Sequence, residues 1–78
     1  MKTTAYFETI RSRPDRAGIQ DTWIVRTVQS PLRETVQADG RIRRWAAVPE
    51  AQGRILRVVL LADGETVHNA FFDRGFKV

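Results

Sequence analysis

The spacing of hydrophobic residues changes character at Pro31. Before Pro31 the apolar residues have helical spacing, and after it they alternate with polar residues as in β-strands. The first helix is predicted over 5–13, where Tyr6 and Ile10 lie four residues apart, and Pro14 ends it. The second is predicted over 19–30. Its apolar stripe consists of Trp23, Ile24, Thr27 and Val28.

Polar and turn-forming residues mark the ends of these helices. Residues 15–18 resemble a tight turn that closes on Gly18. Gln20 or Asp21 is predicted to cap the second helix, and Ser30-Pro31 ends it. Both helices are short, so they need a surface to pack against.

Four alternating segments after Pro31 predict four strands, over 32–38, 41–48, 54–62 and 65–72. Asp39-Gly40 and Asp63-Gly64 are each typical of a two-residue hairpin turn, and 49–53 forms a longer loop. We therefore predict an α+β fold in which two N-terminal helices pack on one face of a four-stranded antiparallel β-meander. Residues 1–78 are predicted to form a single domain.

The predicted turns also set the strand registers. With a two-residue turn at Asp63-Gly64, the helix-facing pairs are Leu60–Val67, Val58–Asn69 and Leu56–Phe71. The opposite face then holds Ile55, Arg57, Val59, Leu61, Thr66, His68, Ala70 and Phe72.

The register of the second strand follows from the longer loop. If Val48 opposes Arg54, then Trp45 pairs with Arg57 and Arg43 pairs with Val59. A slip of one residue would reverse the faces of this strand. In the register with Val48 opposite Arg54, the face away from the helices holds Arg41, Arg43, Trp45, Arg57 and His68. Arg44 then lies at the edge of the core.

Composition adds a basic charge to this picture. The formal net charge is +4, and eleven of the 13 basic residues are arginine, whose planar fork suits phosphate and aromatic stacking. RNA is a natural partner for such a chain, although arginine-rich small proteins are also common in GC-rich bacterial genomes. The chain has no cysteine and one histidine, so we predict no disulfide, metal centre or cofactor.

The sequence gives no sign of a membrane. The first residues lack the apolar run of a signal peptide, and the longest apolar stretch, 58–62, is far too short to span a bilayer. We predict a cytoplasmic location without a membrane partner.

Residues on the polar face have the chemistry that a metal-independent ribonuclease needs. His68 has the pKa range for general acid–base catalysis, and Arg57 is placed to stabilise charge on a phosphorane-like transition state. Arg41 and Arg43 are candidate phosphate contacts, and Trp45 is a candidate stacking platform for an unpaired base. The alternative interpretation gives His68 and Trp45 purely packing roles.

Several short segments together resemble a group of small bacterial proteins related to RelE- and BrnT-type toxins. They are the Gly-Ile before the second helix, the Ser-Pro after it, Asp39-Gly40-Arg41, Leu56-Arg57-Val58-Val59 and the final 67–74. The resemblance covers roughly 6–76 and implies the barnase–EndoU–colicin–RelE fold. One departure is that 6–11 lacks the helix histidine often found in relatives.

This resemblance implies a toxin of a toxin–antitoxin pair, with RNA as substrate and an antitoxin-like protein as partner. In the catalytic version His68 is the acid–base, and Arg43 and Arg57 clamp the phosphate. A non-catalytic RNA-binding module on the same scaffold is a second hypothesis. The third is a small interaction domain that forms a homodimer through Ile55, Val59, Leu61 and Phe72.

Overall fold

Two helices precede a four-stranded sheet in the computed structural model, which describes residues 1–77. The helices are α1 (Ala5–Ile10) and α2 (Asp21–Gln29). The strands are β1 (Arg33–Val36), β2 (Ile42–Val48), β3 (Arg54–Leu60) and β4 (Val67–Phe72), and a short 3₁₀ helix, Pro49–Ala51, lies between β2 and β3. The strands form one antiparallel sheet in the order β1-β2-β3-β4. The predicted α+β meander is therefore confirmed.

Helix α1 is shorter than predicted because the chain leaves the helix before it reaches Pro14. Thr4 caps its start, with the hydroxyl accepting a hydrogen bond from the Phe7 amide at 3.1 Å. The buried residues are Phe7 and Ile10, whereas Tyr6 is 50% exposed. Tyr6 and Ile10, whose spacing indicated the helix, therefore do not share its buried side, because Phe7 takes that position three residues before Ile10.

Helix α2 presents the predicted stripe to the sheet. Trp23, Ile24 and Thr27 are buried, and Val28 packs against them. The buried Thr27 hydroxyl donates to the Trp23 carbonyl at 2.9 Å, so no polar group of this residue is left unsatisfied. The helix contributes to one apolar core with the sheet, whose fully buried members are Ile24, Leu56, Leu60, Val48, Val58 and Val67.

The register predicted for β2 and β3 is confirmed. Val48 pairs with Arg54, Trp45 with Arg57 and Arg43 with Val59. The intervening loop turns through Gln52 and Gly53, which have φ angles of 57° and 73°. A glycine has little steric cost at such an angle.

Arg44 lies at the core edge, as the register requires, and two hydrogen bonds satisfy it there. Its Nη1 donates to the Val28 carbonyl in the last turn of α2 at 3.0 Å, and its Nε donates to Glu34 at 2.8 Å. A cation at the carboxyl end of a helix is favourable because the carbonyl dipoles point toward it.

The turn between β1 and β2 differs from the predicted two-residue hairpin. The Gln37 amide donates to the Arg41 carbonyl at 2.7 Å, and Val36 pairs with Ile42. The loop therefore has three residues, 38–40, with Gly40 at φ 89°, the usual arrangement when glycine follows a type I turn. Strand β1 is correspondingly shorter than the predicted 32–38.

The turn between β3 and β4 is also longer than predicted. Leu61 donates its amide to the Thr66 carbonyl and Gly64 donates to the Leu61 carbonyl, so the chain reverses over 62–65. The Asp63 carboxylate accepts from the amides of Glu65 and Thr66 at 2.9 Å and from the Thr66 hydroxyl. These bonds lower the pKa of Asp63 to about 2.

A β-bulge between β3 and β4 corrects part of the predicted register. Leu60 pairs with Val67 as predicted, but the register then shifts by one residue. Val58 consequently pairs with Ala70 instead of Asn69, and Leu56 with Phe72 instead of Phe71. The extra residue reverses the faces of the rest of the strand. Ala70 and Phe72 lie on the core side, while Asn69 and Phe71 lie on the other.

The first residues of the chain run beside β4. Thr3 forms a parallel bridge with Val67, whose amide donates to the Lys2 carbonyl and whose carbonyl accepts from Thr4. This contact brings Thr4 next to His68. Neither helix within residues 1–77 has the length and apolar character needed to cross a membrane.

Candidate functional site

The sheet face turned away from the helices, called the open face below, carries its side chains in cross-strand rows. Directly paired residues of antiparallel strands lie on the same side of the sheet, so each row crosses all four strands. The first row is Arg33, Trp45, Arg57 and Phe71, and the second is Thr35, Arg43, Val59 and Asn69.

Arg57 lies between two aromatic rings in the first row. Its guanidinium carbon is 5.5 Å from the Trp45 ring centroid and 5.2 Å from that of Phe71, both within range of cation–π attraction. Its Nε is buried and has no hydrogen-bond partner among residues 1–77. Its Nη1 lies 3.8 Å from the Asp73 carboxylate, too far for a hydrogen bond.

The charge of Arg57 is therefore only partly compensated. Burial and the neighbouring Arg43 lower the pKa of Arg57, and Asp73 opposes this effect only in part. An arginine in this state favours any anion that can reach its fork. Arginine side chains are effectively always protonated in proteins, so the guanidinium carries its positive charge at neutral pH.

A shallow groove of about 410 Å³ opens beside Arg57. Its polar lining contains two arginines, the histidine and two amides, but no carboxylate. The lining residues are Tyr6, Gln37, Arg41, Arg57, Val59, His68, Asn69 and Phe71. The groove therefore has a cationic, hydrogen-bonding character suited to a small anionic group.

His68 is fixed in this groove by α1 and the residue before it. Its Nδ1 lies 3.0 Å from the Thr4 hydroxyl, and its ring stacks on Tyr6 with the centroids 4.9 Å apart. Partial burial and the nearby Arg41 lower the pKa of His68, and Asp39 acts in the opposite direction. Since Thr4 engages Nδ1, Nε2 is the nitrogen left for a ligand.

Arg41 and Arg43 occupy neighbouring positions with different surroundings. Arg41 lies 3.7 Å from Asp39, again beyond hydrogen-bond range. Arg43 reaches Gln37 instead: with the amide oxygen turned toward it, Nη2 donates at 2.7 Å. Arg43 borders the groove without lining it.

Several other arginines on the surface, although not all of them, are engaged more closely by acids. Arg11 donates to Asp21, Arg26 donates to Glu50 at 2.9 Å, and Arg44 donates to Glu34. By contrast, within residues 1–77 the guanidinium groups of Arg41 and Arg57 donate no hydrogen bond to another side chain or to the backbone. Their hydrogen-bonding capacity is available to a ligand.

Trp45 is on the predicted face but is not open to solvent. It is only 6% exposed, its Nε1 donates to Asp73 at 2.9 Å, and the Phe76 ring packs against it in a tilted arrangement with the centroids 5.5 Å apart. Of the predicted site residues, the structure thus brings Arg41, Arg57 and His68 together in one groove. It places Trp45 beneath the segment that follows β4.

Four groove residues were missing from the sequence-based prediction of the site: Tyr6, Gln37, Asn69 and Phe71. Thr4, which contacts His68 without lining the groove, was missing as well. The Asn69 oxygen accepts from Arg16 Nη1 at 2.7 Å and from the Ala70 amide at 2.9 Å, which leaves its NH₂ group without a partner among residues 1–77. Tyr6 carried one weak signal, since adjacent residues of a helix point in different directions and Phe7, three residues before Ile10, is the better placed of the two to share the buried side with Ile10. No local signal identified Thr4.

The apolar residues predicted to form a dimer surface do not share one exposed patch. Phe72 lies on the core side because of the bulge, and Val59 is only 7% exposed. Among residues 1–77 the large apolar side chains that are most exposed are Met1, Tyr6, Leu32 and Val36.

Comparisons of the chain with protein-family models, with curated proteins and with solved structures found no match. Residues 1–77 also contain no group of three or more histidine, aspartate or glutamate side chains placed to hold a metal ion. The groove and the residues around it are therefore the features of the molecule that bear on its function.

Proposed function

We propose that this protein binds the phosphate backbone of single-stranded RNA in the groove formed by Arg41, Arg57 and His68. One observation carries the proposal. Within residues 1–77, the guanidinium groups of Arg41 and Arg57 donate no hydrogen bond and line the same groove as His68. No carboxylate among these residues lines it with them, although Asp39 and Asp73 lie 3.7 and 3.8 Å from the two arginines.

A phosphodiester matches the chemistry of this groove. An arginine fork donates two parallel hydrogen bonds to phosphate oxygens, and Arg57 is already partly desolvated, so it loses less hydration when a ligand binds. The phosphate would also raise the pKa of His68, so the fraction of imidazole that is protonated and adds a third cation increases as the pH falls, while the neutral form can act as a base.

Single-stranded RNA fits better than a duplex because of Tyr6. This ring is half exposed at the rim of the groove and already stacks on His68. Aromatic rings next to a basic groove are the usual platforms for unpaired bases. Bases inside a duplex are stacked on one another and cannot reach such a ring.

Cleavage of the bound RNA is the stronger form of the proposal. His68 Nε2 would accept the 2′-hydroxyl proton while the 2′-oxygen attacks phosphorus and the 5′-oxygen leaves with a proton from solvent. Arg57 would stabilise the charge on the pentacoordinate phosphorus. The resemblance to RelE- and BrnT-type toxins favours the same reaction and, with it, an antitoxin-like protein partner.

Binding is tested by fluorescence anisotropy with a labelled single-stranded RNA. We expect Arg41→Met and Arg57→Met each to weaken binding about tenfold and to lower the salt slope by about one. Arg26→Met is the matched control: it removes the same charge from a residue on α2 that is paired with Glu50. An equal loss in all three variants would mean that only net charge matters and would overturn the groove as the site.

Cleavage is tested with 5′-labelled RNA in the presence of a chelator. The wild-type protein should yield products ending in 2′,3′-cyclic phosphate, and His68→Gln should abolish cleavage while it binds RNA within a few-fold of wild type. If the wild type binds RNA but does not cleave it, the cleavage proposal is wrong and only the RNA-binding proposal stands.

A further inference from the structure

The residues directly after β4, called the cover segment (Asp73-Arg74-Gly75-Phe76), lie on the open face beside the groove. The Asp73 carboxylate accepts from Trp45 Nε1 at 2.9 Å and lies 3.8 Å from Arg57 Nη1. The Phe76 ring packs against Trp45 in a tilted arrangement, with the centroids 5.5 Å apart and the planes at 33°. The Arg33 guanidinium also lies over the Phe76 ring, 4.6 Å from its centroid.

These contacts are of the kind that hold a nucleotide. A planar ring lies against an indole and a guanidinium, and an anion lies beside a partly buried arginine. Nucleobases stack on tryptophan and arginine in the same way, and phosphates take the place of the carboxylate. The cover segment therefore supplies within the chain the two groups, one aromatic and one anionic, that a nucleotide would supply.

The cover segment is attached to the sheet mainly at its first residue. The Asp73 amide donates to the Ile55 carbonyl at 2.8 Å. The later amides bond within the segment: Gly75 donates to the Asp73 side chain at 3.0 Å, and Phe76 donates to the Asp73 carbonyl at 3.4 Å. Phe76 can consequently leave Trp45 without breaking a backbone bond to the sheet.

We propose that Arg33, Trp45 and Arg57 form a second nucleotide subsite, which Phe76 occupies until RNA displaces it. The inference rests on the proposed RNA binding and extends it by one nucleotide. Arg57 connects the two sites, since it lines the groove and also contacts Trp45. A strand with one phosphate in the groove can place its neighbouring base on Trp45.

The test compares Phe76→Ala with Phe76→Tyr, which keeps a ring on Trp45. Both are made in a Trp23→Phe background, so that fluorescence reports Trp45 alone. Phe76→Ala should make the indole more accessible to acrylamide. It should bind oligouridylates of four or more nucleotides roughly tenfold more tightly than the background protein, and RNA should protect the indole again. Phe76→Tyr should behave like the background protein.

Asp73→Asn is a second variant that does not depend on the loss of a ring. Its amide oxygen can still accept from Trp45, but the negative charge beside Arg57 is gone. We expect tighter RNA binding here too, with the thermal unfolding midpoint of both variants recorded as a check on folding.

The outcomes separate the two proposals. If the wild type binds RNA through Arg41 but Phe76→Ala changes neither affinity nor indole protection, the second subsite is wrong and the groove stands. If only Phe76→Ala binds RNA, the subsite is supported and the groove fails as the primary site. If neither protein binds, both proposals are overturned.

Discussion

The two faces of the sheet are built on different principles, although they share every strand. On the helix side, successive inward residues of β3 are Leu56, Val58 and Leu60, each 0% exposed. On the open face, the same strand presents Arg57 and Val59, and the strands beside it add more arginines and aromatic rings. One side is sealed by helices, and the other is covered only by side chains and the cover segment.

This contrast separates stability from binding. Burial of apolar area stabilises the helix side, and any gap there costs free energy. The open face is held by cation–aromatic contacts and long ion pairs, which contribute little to stability at a surface. Substitutions on the helix side should therefore lower stability, whereas substitutions on the open face should mainly change RNA binding. Three predictions examine this difference from the largest effect to the smallest.

The largest effect is expected on the helix side. Leu56→Ala should lower the free energy of unfolding by about 3 kcal/mol, because it leaves a cavity in a fully buried position. For a domain of this size that is a large share of the total. Urea denaturation followed by circular dichroism measures the loss.

Val36→Ala is the control, since Val36 is 68% exposed on the edge strand. Its free energy of unfolding should change by less than about 0.5 kcal/mol. Similar losses in the two variants would contradict the assignment of the core to one face.

An intermediate effect distinguishes two arginines that lie on opposite faces. Arg44→Met should cost about 1–2 kcal/mol of unfolding free energy, because it removes charged hydrogen bonds to the Val28 carbonyl and Glu34. Arg57→Met should change it by less than about 1 kcal/mol, because the methionine keeps the apolar stem and removes a partly buried, poorly paired charge. Thermal and urea unfolding of both variants test this, and a larger loss at Arg57 would make that residue structural.

The smallest effect is a pH dependence at His68. Because the pKa of His68 is lowered in the folded protein, the unfolded chain binds more protons as the pH falls through the ordinary histidine range. Stability should thus be full above pH about 6.5 and decrease as the pH falls toward the folded-state pKa. RNA affinity should change in the opposite direction, since an imidazolium attracts phosphate.

His68→Gln should remove most of both changes between pH 8 and pH 6. Unfolding and RNA anisotropy measured on the same samples give the two signs directly. An RNA affinity that follows pH equally in His68→Gln would assign the effect to another group.

The strand order and the pairing of β2 with β3 could be predicted because local signals set them. The loop 49–53 has a glycine at its end, and the apolar residues Ala46 and Leu56 face each other in the register that this loop sets. The bulge could not be predicted. His68 and Asn69 are both polar, so the sequence does not reveal which of two successive residues is the extra one.

The site was predictable only where side chains share one sheet face. Arg41, Arg57 and His68 follow from strand alternation. The burial of Trp45 does not follow from strand alternation, because Phe76, which packs against it, lies 31 positions further along the chain. Thr4 reaches His68 from the other end of the sequence. Such contacts depend on how the chain closes after the strands have formed, which alternation does not encode.

The bulge has a further consequence for how this sequence can change in length. It reverses the inward–outward alternation of side chains within β4, since Val67 before it and Ala70 after it both point inward although they are three residues apart. Deletion of residue 68 or 69 would give β4 a regular alternation along its whole length, but it would remove one of two adjacent polar groups from the groove. Over evolutionary time this strand can therefore exchange residues more freely than it can gain or lose them.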